Sequence, residues 1–529
     1  MSKRWVLFQS PVWHWGRWFL LGFLALRIGF WLTAFPNPDE AYYWLWGQRL
    51  GFSYYDHPPF HAWVQGIFAV LGRSALVLRL PNAVSSGVLG FTFYHICRYL
   101  YGDQARDRVW LVVLLGLSSP LFFWYLGLAW HDHWLVTFAV ISSFLFVRYV
   151  DEALDNPGAG GSGKNLYGAA LFLGLAGLCK YNAVFVGLGF LILIVTDKKR
   201  WQLLRDRRLY LALGLLLLVL SPILIWNVQH DFFSFRFYRD RAAGGGLSLN
   251  LFQPVVFLAL CGLILGPIQS WSIAQLLGKR GQTAITRTSC YPALALWIFG
   301  LSTAAFTALS TVSVALFYWN ILAYPLLLPL LSDRFYRPEG AKPVRAGQLA
   351  IAQGLGLFAA AALVAYYTVM PFSAFFGAVD PDGAALFGWP QVAQEVTTQA
   401  AALDDPILLT TDYRSASALA YALDNPNVIA ISGRLDQFDF WYDAAALVGR
   451  DAVLLGETWH PICPTHLAMF DRVDPLETLE VRRFGRLLQT YQIVRGYGFR
   501  SGPEDYPLRP DYPLAFTRSG EQCLPKEPE

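Results

Sequence analysis

The sequence predicts a polytopic α-helical membrane protein with a C-terminal extramembrane α/β domain. The 529 residues are 55% apolar and only 15% charged, with a mean hydropathy of +0.38, whereas soluble domains carry about 25% charged residues. Apolar runs recur along the first part of the chain, and the composition changes after about residue 378. We therefore expect about 11 transmembrane helices (range 10–13) in residues 1–377 and an α/β domain in residues 378–529.

The expected spans are the apolar runs long enough to cross about 30 Å of hydrocarbon. They lie at 18–35, 75–96, 109–127, 134–150, 166–179, 182–196, 209–226, 250–276, 289–309, 314–331 and 347–370. The first run lacks a small-residue cleavage site, which predicts an uncleaved anchor. No internal repeat supports an inverted-repeat transporter.

The basic residues predict the orientation of the spans. With the N-terminus in the cytoplasm, the cytoplasmic segments hold 21 Lys and Arg, and the opposite face before the last span holds seven. We therefore expect a multi-pass protein of the inner (plasma) membrane, with residues 371–529 in the periplasm or an equivalent compartment.

The segment after the last span has the pattern of alternating strands and helices. Strands are expected at 407–410, 428–431 and 452–456, and a short helix at 415–423. Cys463 and Cys523 are the two cysteines outside the expected spans, and they could form a disulfide or remain free thiols.

Several charged and polar groups are expected to emerge on the outer face. Adjacent carboxylates follow the first span, and further groups follow the later spans. Charged groups at a membrane surface are costly unless they are used. The groups are Asp39-Glu40, Asp56-His57-Pro58-Pro59, His131-Asp132-His133, Gly177-Leu178-Cys179-Lys180-Tyr181, Trp226-Asn227-Val228-Gln229-His230 and Tyr318-Trp319-Asn320.

This ordered set resembles the GT-C glycosyltransferases of the protein O-mannosyltransferase type, in the bacterial branch that includes the lipid A aminoarabinose transferases. Two tail segments, 412–417 and 436–441, are similar to the soluble domain of that branch. The resemblance implies the GT-C fold and inverting transfer of one sugar from a polyprenyl-phosphate donor to a glycolipid, glycan or protein at the outer face.

The resemblance implies that Asp39 is the base that takes the proton from the acceptor hydroxyl. Glu40 could orient a substrate or hydrogen-bond a neighbouring loop, and Asp132 matches the family's second acidic residue. Both carboxylates of the first pair could instead cap the following helix. Asp39, Glu40 and Asp132 are therefore the candidate catalytic residues.

The leaving polyprenyl phosphate needs nearby cations. Lys180 is the main candidate, although an isolated lysine can also extend to lipid headgroups. Arg236 and Arg239 could bind the donor phosphate, an acidic acceptor or lipid. His57 stands where the aminoarabinose transferases carry Lys, which suggests a different donor sugar or phosphate geometry.

The remaining candidates are expected to bind substrate: Asp56, His131, His133, His230, Tyr318 and Asn320. The resemblance to the aminoarabinose transferases also implies Asp56 and His230 as weak candidates for metal ligands. Their residue types suit a divalent ion, but their spacing matches no known motif. A monophosphate donor needs no bridging metal. We therefore expect no required cofactor and leave a divalent metal open.

Two rival functions belong to other classes: a transporter or flippase for lipid-linked sugars, and a non-catalytic binding subunit. Polar groups near the midplane and internal repeats would favour the transporter. The expected partners are a polyprenyl-phosphate-linked sugar donor, a lipid or glycan acceptor and membrane lipids, with no nucleic acid.

Overall fold

The computed structural model describes residues 11–155, 161–243, 249–278, 285–336, 346–377, 380–432 and 435–500. Helices dominate up to Thr368, and a mixed sheet follows. Helices α1 to α10 are Pro11–Thr33, Pro38–Gln48, Phe60–Phe68, Ala75–Tyr101, Ala105–Leu117, Pro120–Tyr125, Asp132–Asp155, Gly163–Cys179, Val184–Val195 and Arg207–Gln229. Helices α11 to α16 are Phe233–Ala243, Gln253–Leu265, Pro267–Gly278, Tyr291–Leu309, Leu328–Leu331 and Ala346–Thr368.

Within the described ranges, five helices are long and apolar enough to cross a membrane, or up to eight if each of three bent helix pairs forms one span. A membrane protein is therefore confirmed, but the expected count of 11 spans is not. Some expected spans are short helices: α8 has 17 residues and α9 has 12. Helices α12 and α13 form a pair bent by 113°.

The tenth expected span, 314–331, is not a continuous helix. It consists of 3₁₀ turns at Phe317–Ala323 and Pro325–Leu327, followed by the short α15. Proline has no backbone N–H and disrupts a helix interior, so Pro325 and Pro329 interrupt this apolar run. The prediction of a helical span was wrong here because it rested on the apolar length of the run, which is the same whether or not prolines interrupt the helix.

The tail contains α17 (Pro381–Ala384), α18 (Trp389–Ala400), α19 (Tyr413–Leu423) and α20 (Pro464–Leu467). Its strands β1 to β6 are Ile407–Thr410, Val428–Ala430, Ala452–Glu457, Phe470–Val473, Glu477–Arg483 and Arg486–Phe499. The sheet order is β2-β1-β3-β6-β4, and β5 also pairs with β6. Strands β2, β1 and β3 are parallel, and β6 pairs antiparallel with β3, β4 and β5. The three expected strands are present within one residue of their predicted ends.

Helix α19 begins at Tyr413, two residues before the predicted start, because the Asp412 side chain caps it by accepting a hydrogen bond from the Arg414 N–H. The tail packs against α2, and their buried side chains form one apolar cluster. Arg49 at the end of α2 donates to the carbonyl of Pro426. Helix α2 therefore lies between the helical bundle and the sheet.

The cysteines in or beside the helical bundle are free and buried, namely Cys97, Cys179, Cys261 and Cys290. Cys463 in the tail is disulfide-bonded. Cys523 lies outside the described residues, so a disulfide between Cys463 and Cys523 stays a hypothesis.

Candidate active site

The start of α2 fixes the adjacent carboxylates Asp39 and Glu40. Asn37 is the N-cap: its side chain accepts from the Glu40 N–H at 2.9 Å, and the Glu40 carboxylate accepts from the Asn37 N–H at 3.1 Å. This reciprocal capping box and Pro38 in the first turn define where the helix begins. The two carboxylates therefore point in directions set by a rigid first turn.

Glu40 is fully buried in an ion pair with Arg79 of α4. Its two oxygens accept from Arg79 Nε at 2.8 Å and from Nη2 at 2.6 Å, and the Ala129 N–H donates to Oε1 at 2.7 Å. Glu40 thus joins α2 to α4 and to the segment before α7. Asp39 is only partly buried, which makes it the carboxylate of this pair that is accessible to a substrate.

Asp132 and Lys180 are brought together from different helices. Asp132 is the first residue of α7, and Lys180 is the extended residue that follows α8. Lys180 Nζ lies 3.0 Å from Oδ1 and 3.2 Å from Oδ2 of Asp132, and both residues are buried. The predicted cation and the second predicted carboxylate therefore form a single ion pair.

Tyr318 lies beside this ion pair. The Lys180 Nζ is 5.5 Å from the centre of the Tyr318 ring, a distance at which a cation and an aromatic face attract each other. The Tyr318 ring stacks on Tyr125 at 4.5 Å. This region thus brings together residues from α6, α7, the break after α8 and the 3₁₀ segment at 317–323.

Three histidines pack around Tyr43 of α2, and a fourth, His133, packs against His61. The ring centroid of His131 lies 4.2 Å from Tyr43, 4.4 Å from His57 and 5.0 Å from His61. His133 lies 5.5 Å from His61. Of this cluster, Tyr43 and His61 were missed by the sequence analysis, because both lie in apolar or aromatic stretches that are typical of packing residues.

The histidine cluster has unused hydrogen-bonding capacity. His61 Nε2 is 2.7 Å from the Ala129 carbonyl, and His133 Nδ1 is 2.8 Å from Ser85 Oγ. The other nitrogens of these two rings and Nε2 of His131 are buried with no hydrogen-bond partner among the described residues. Buried polar atoms of this kind need an explanation.

Asp56 and His57 are held by tyrosines from two helices. The Tyr42 hydroxyl donates to Asp56 Oδ2 at 2.7 Å. The Tyr238 hydroxyl of α11 lies 2.5 Å from the Asp56 carbonyl and 3.1 Å from His57 Nδ1. Helix α11 therefore packs on the loop that contributes His57 to the histidine cluster.

Arg236 and Arg239 are exposed on α11. The Arg236 guanidinium lies 5.7 Å from the Phe233 ring centre. The structure therefore places these two arginines at the surface, whereas the Lys180–Asp132 ion pair is buried.

His230 and Asn320 are occupied by contacts with their own surroundings. His230 stacks on Trp226 at 4.2 Å, and its Nδ1 lies 2.8 Å from the Trp226 carbonyl. Asn320 is fully buried, and its amide bonds Ser302, Thr303 and Tyr324. No group of three or more His, Cys, Asp or Glu in the described ranges could hold a metal ion.

The tail adds residues that the sequence analysis did not select individually. Tyr413, the first residue of α19, packs its ring 5.0 Å from Tyr42. Arg414 forms an ion pair with Asp382 at 2.6 Å. Burial lowers the pKa of Arg414, but Asp382, Tyr413 and Asp39 together raise it above its ordinary value. The resemblance of segment 412–417 to the soluble domain of the family was the sequence signal for these residues.

The arrangement combines three chemical capabilities. Asp39 offers a partly accessible carboxylate for proton transfer. The Lys180 ammonium is held in place for an anion by Asp132. His61, His131 and His133 each offer a buried nitrogen without a partner among the described residues, and such nitrogens suit hydroxyl or carboxylate groups of a ligand.

Comparisons with known proteins find similarity to glycosyltransferases. Residues 56–226 match a family model described as dolichyl-phosphate-mannose-protein mannosyltransferase. The chain is 26% identical over 294 residues to lipid A galacturonosyltransferase RgtD of Rhizobium johnstonii. This match covers 54% of this chain and 58% of RgtD. It is 27% identical over 190 residues to lipopolysaccharide core galacturonosyltransferase RgtA of the same organism, covering 36% of each. The chain therefore spans less than two thirds of these curated relatives.

A solved structure matches nearly the whole chain. ArnT from Cupriavidus metallidurans bound to undecaprenyl phosphate has a TM-score of 0.61 and 16% identity, and the match covers 94% of this chain and 100% of that chain. At this identity the likeness establishes the fold. The chain is thus a membrane protein with the GT-C fold seen in ArnT, and residues 56–226 are similar to the protein O-mannosyltransferase family.

Proposed function

We propose that the chain is an inverting glycosyltransferase that moves one sugar from a polyprenyl-phosphate donor to a glycolipid, glycan or protein. The observation that carries this proposal is the buried Lys180–Asp132 pair, in the same structure as the partly buried Asp39. A fixed cation for a leaving phosphate and a carboxylate base are two requirements of this reaction. The family match and the named relatives support the same class of chemistry.

In the proposed reaction, the acceptor hydroxyl loses its proton to Asp39 as its oxygen attacks the anomeric carbon. A new carbon–oxygen bond forms, and the bond from that carbon to the phosphate oxygen breaks. The bonding electrons leave with polyprenyl phosphate. Attack opposite the leaving group inverts the anomeric centre. The neighbouring Glu40 would position the start of α2 through Arg79.

Lys180 would stabilise the charge that develops on the leaving phosphate. Asp132 would hold the Lys180 ammonium in position and balance its charge before the donor binds. This gives Asp132 a positioning role in place of the direct catalytic role expected from the sequence. The exposed Arg236 and Arg239 would attract the anionic donor at the membrane surface.

The relatives' names favour a uronic acid as the transferred sugar and a lipopolysaccharide-type glycolipid as the acceptor. The histidine cluster supports this choice, since an imidazole N–H can donate to a sugar carboxylate. His131 has a buried nitrogen with no partner among the described residues. His57 would then serve the sugar and its phosphate in place of the lysine of the aminoarabinose transferases.

The proposed location is the plasma membrane, with a cytoplasmic N-terminus and the tail domain 378–529 on the outer side. The excess of basic residues in the expected cytoplasmic segments supports this orientation. Donor and acceptor would then meet on the outer face, where both are anchored by lipid.

The test uses the full chain in lipid nanodiscs. Undecaprenyl phosphate linked to galacturonate, aminoarabinose or mannose is supplied with a lipopolysaccharide acceptor, and released undecaprenyl phosphate is measured. We expect turnover of the galacturonate donor, with at least a 100-fold loss in Asp39→Asn. Asp471→Asn is the control, because this carboxylate is exposed on the tail sheet and pairs with Arg500 at the surface.

The same experiment separates the rival functions. Donor binding without turnover in the wild-type protein would contradict the enzymatic proposal and favour a carrier or a binding subunit. Turnover of only the aminoarabinose or mannose donor would support the reaction class but contradict a uronic acid as the transferred sugar.

A further inference from the structure

A cleft of about 490 Å³ lies where the tail sheet meets the end of α2. The first residues of the parallel strands β1 and β2 form its base, and Phe438, Trp441 and Tyr442 contribute aromatic surface. The volume is in the range of natural ligand sites. None of the candidate site residues selected from the sequence lines this cleft.

Arg49 lines the cleft from the helical part of the chain. Its guanidinium lies 5.3 Å from the centre of the Trp441 ring and donates to the Pro426 carbonyl at 2.9 Å and to Asn427 Oδ1 at 3.1 Å. These contacts fix the guanidinium without neutralising it. No carboxylate among the described residues pairs with Arg49, so its charge is available to a ligand.

A second arginine of the cleft differs in this respect. Arg450 donates to both the carbonyl and the carboxylate of Asp405 at 2.8 Å, and its charge is compensated. Among the described residues that line it, the cleft therefore carries one uncompensated positive charge, next to an aromatic ring and the side-chain amides of Asn425 and Asn427.

This combination fits an anionic saccharide. Aromatic faces pack against the apolar faces of sugar rings, and amides bond sugar hydroxyls. A guanidinium recognises carboxylate and phosphate through paired hydrogen bonds. We infer that the cleft formed by Arg49, Asn427 and Trp441 binds an acidic or phosphorylated saccharide, as a second site for the glycan portion of the acceptor. The inference rests on the proposed function for the identity of that glycan.

The position of the cleft suits this role. Asp39 lies in the first turn of α2 and Arg49 follows its last residue, so about 15 Å of helix separates them at about 1.5 Å per residue. The helix between these two ends is buried, and a glycan of several sugars bound beside Arg49 is long enough to reach from this end of α2 to Asp39 at the other end. The cleft would select acceptors by binding sugars of the glycan other than the one that reacts.

The test measures saccharide binding to the full chain in nanodiscs of phosphatidylcholine, by titration calorimetry. The probes are trigalacturonate, a bisphosphorylated glucosamine disaccharide and neutral maltotriose. We expect at least one anionic probe to bind tenfold or more tightly than maltotriose. The probe that binds shows whether carboxylate or phosphate is the recognised group.

Two variants test the site itself. Arg49→Gln removes the charge, and Asn427→Asp places a carboxylate beside an intact Arg49 and neutralises it. Each should weaken binding of the anionic probe at least tenfold, and each should raise the KM for the glycolipid acceptor. Arg482→Gln is the control, because this exposed arginine of β5 pairs with Glu480 at the surface and should leave the affinity unchanged.

The outcomes separate this inference from the proposed function. No saturable binding of either anionic probe by the wild-type protein would overturn the inference. The same holds for wild-type affinity in Asn427→Asp, even if Asp39→Asn abolishes transfer and so upholds the proposed function. If the protein binds the anionic probe through Arg49 but transfers no sugar, the cleft is a saccharide site. The proposed function would then be wrong, and so would the role of the cleft in binding the acceptor.

Discussion

The neighbouring carboxylates Asp39 and Glu40 have different environments. Glu40 is fully buried and bound by Arg79 and a backbone N–H, while Asp39 is partly accessible. The sequence indicated an unusual acidic pair, but the partner of Glu40 comes from another helix. That tertiary contact has no local signal, so the division of roles required the structure.

Glu40→Gln should destabilise the protein, because it leaves the Arg79 charge buried without its counter-charge. Breaking a buried ion pair costs about 3–5 kcal/mol. Thermal unfolding in detergent should therefore show a clearly lower Tm for Glu40→Gln, whereas Asp39→Asn should retain the wild-type Tm and lose transfer. A wild-type Tm in Glu40→Gln would contradict the structural role.

Asp132 and Lys180 should behave as one unit in kinetics. Asp132→Asn and Lys180→Met are each expected to lower kcat/KM for the donor at least tenfold. The double variant should lose less than the product of the two single losses, because contacting residues are not additive. Kinetics of the four proteins in a double-mutant cycle measure this, and full additivity would refute the pairing.

At the scale of elements, α2 connects the parts of the site. Its first turn carries Asp39, its buried face carries Tyr42 and Tyr43, and its end carries Arg49. The sequence indicated carboxylates near a helix start. The alternative that the acidic pair caps this helix was right only for Glu40, which completes a capping box at the third helical position, because the N-cap residue is Asn37. The burial of Tyr42 and Tyr43 against the tail depends on chain segments more than 300 residues later.

Asn37→Ala should loosen the first turn of α2 and reduce transfer. Loss of an N-cap costs about 0.5–2 kcal/mol, and Asp39 lies in the turn that the cap fixes. We expect a several-fold lower kcat with a small decrease in Tm. Asn37→Ser retains a capping oxygen and should preserve most of the activity; equal activity of the Ala and Ser variants would argue against this effect.

The end of β3 and the start of α19 share a pH-dependent contact. His460 lies 2.5 Å from Glu457 and 3.6 Å from Asp412. Burial lowers the pKa of His460, but Asp412 and Glu457 raise it above its ordinary value of 6.5. Protonated His460 therefore stabilises the fold below about pH 6.5, and this contribution disappears as the pH rises through the raised pKa.

His460→Gln should consequently lower the Tm at pH 6 more than at pH 9. Thermal unfolding of the two proteins across this range provides the measurement. A Tm difference that is constant with pH, or larger at pH 9, would contradict a stabilising protonated His460.

For the whole molecule, composition and apolar runs were sufficient to predict a helical membrane protein followed by strands. The number of spans was harder to predict, since bent helix pairs and the 3₁₀ segment at 317–323 have the same apolar composition as straight helices. The site was predicted in part: Asp132 and Lys180 were both selected, but their direct contact could not be read from a separation of 48 residues.

Tyr42 connects the tail to the helical part. Its hydroxyl donates to Asp56 at 2.7 Å and accepts from the Gln437 N–H at 2.9 Å. Tyr42→Phe leaves a buried carboxylate and a buried N–H without this partner, at about 1–3 kcal/mol. We expect faster hydrogen exchange in both the loop at 53–57 and the segment at 436–441. Unchanged exchange in either segment would show that Tyr42 does not couple them.

The central claim is that Asp39 acts as the base in an inverting transfer. The most direct measurement is single-turnover transfer from undecaprenyl-phosphate galacturonate by wild-type protein and Asp39→Asn in nanodiscs, with the anomeric configuration of the product determined by NMR. The account predicts an inverted product from the wild-type protein, and undiminished donor binding with at least 100-fold slower transfer in Asp39→Asn. Equal transfer rates in the two proteins, or a product that retains the donor's configuration, would contradict it.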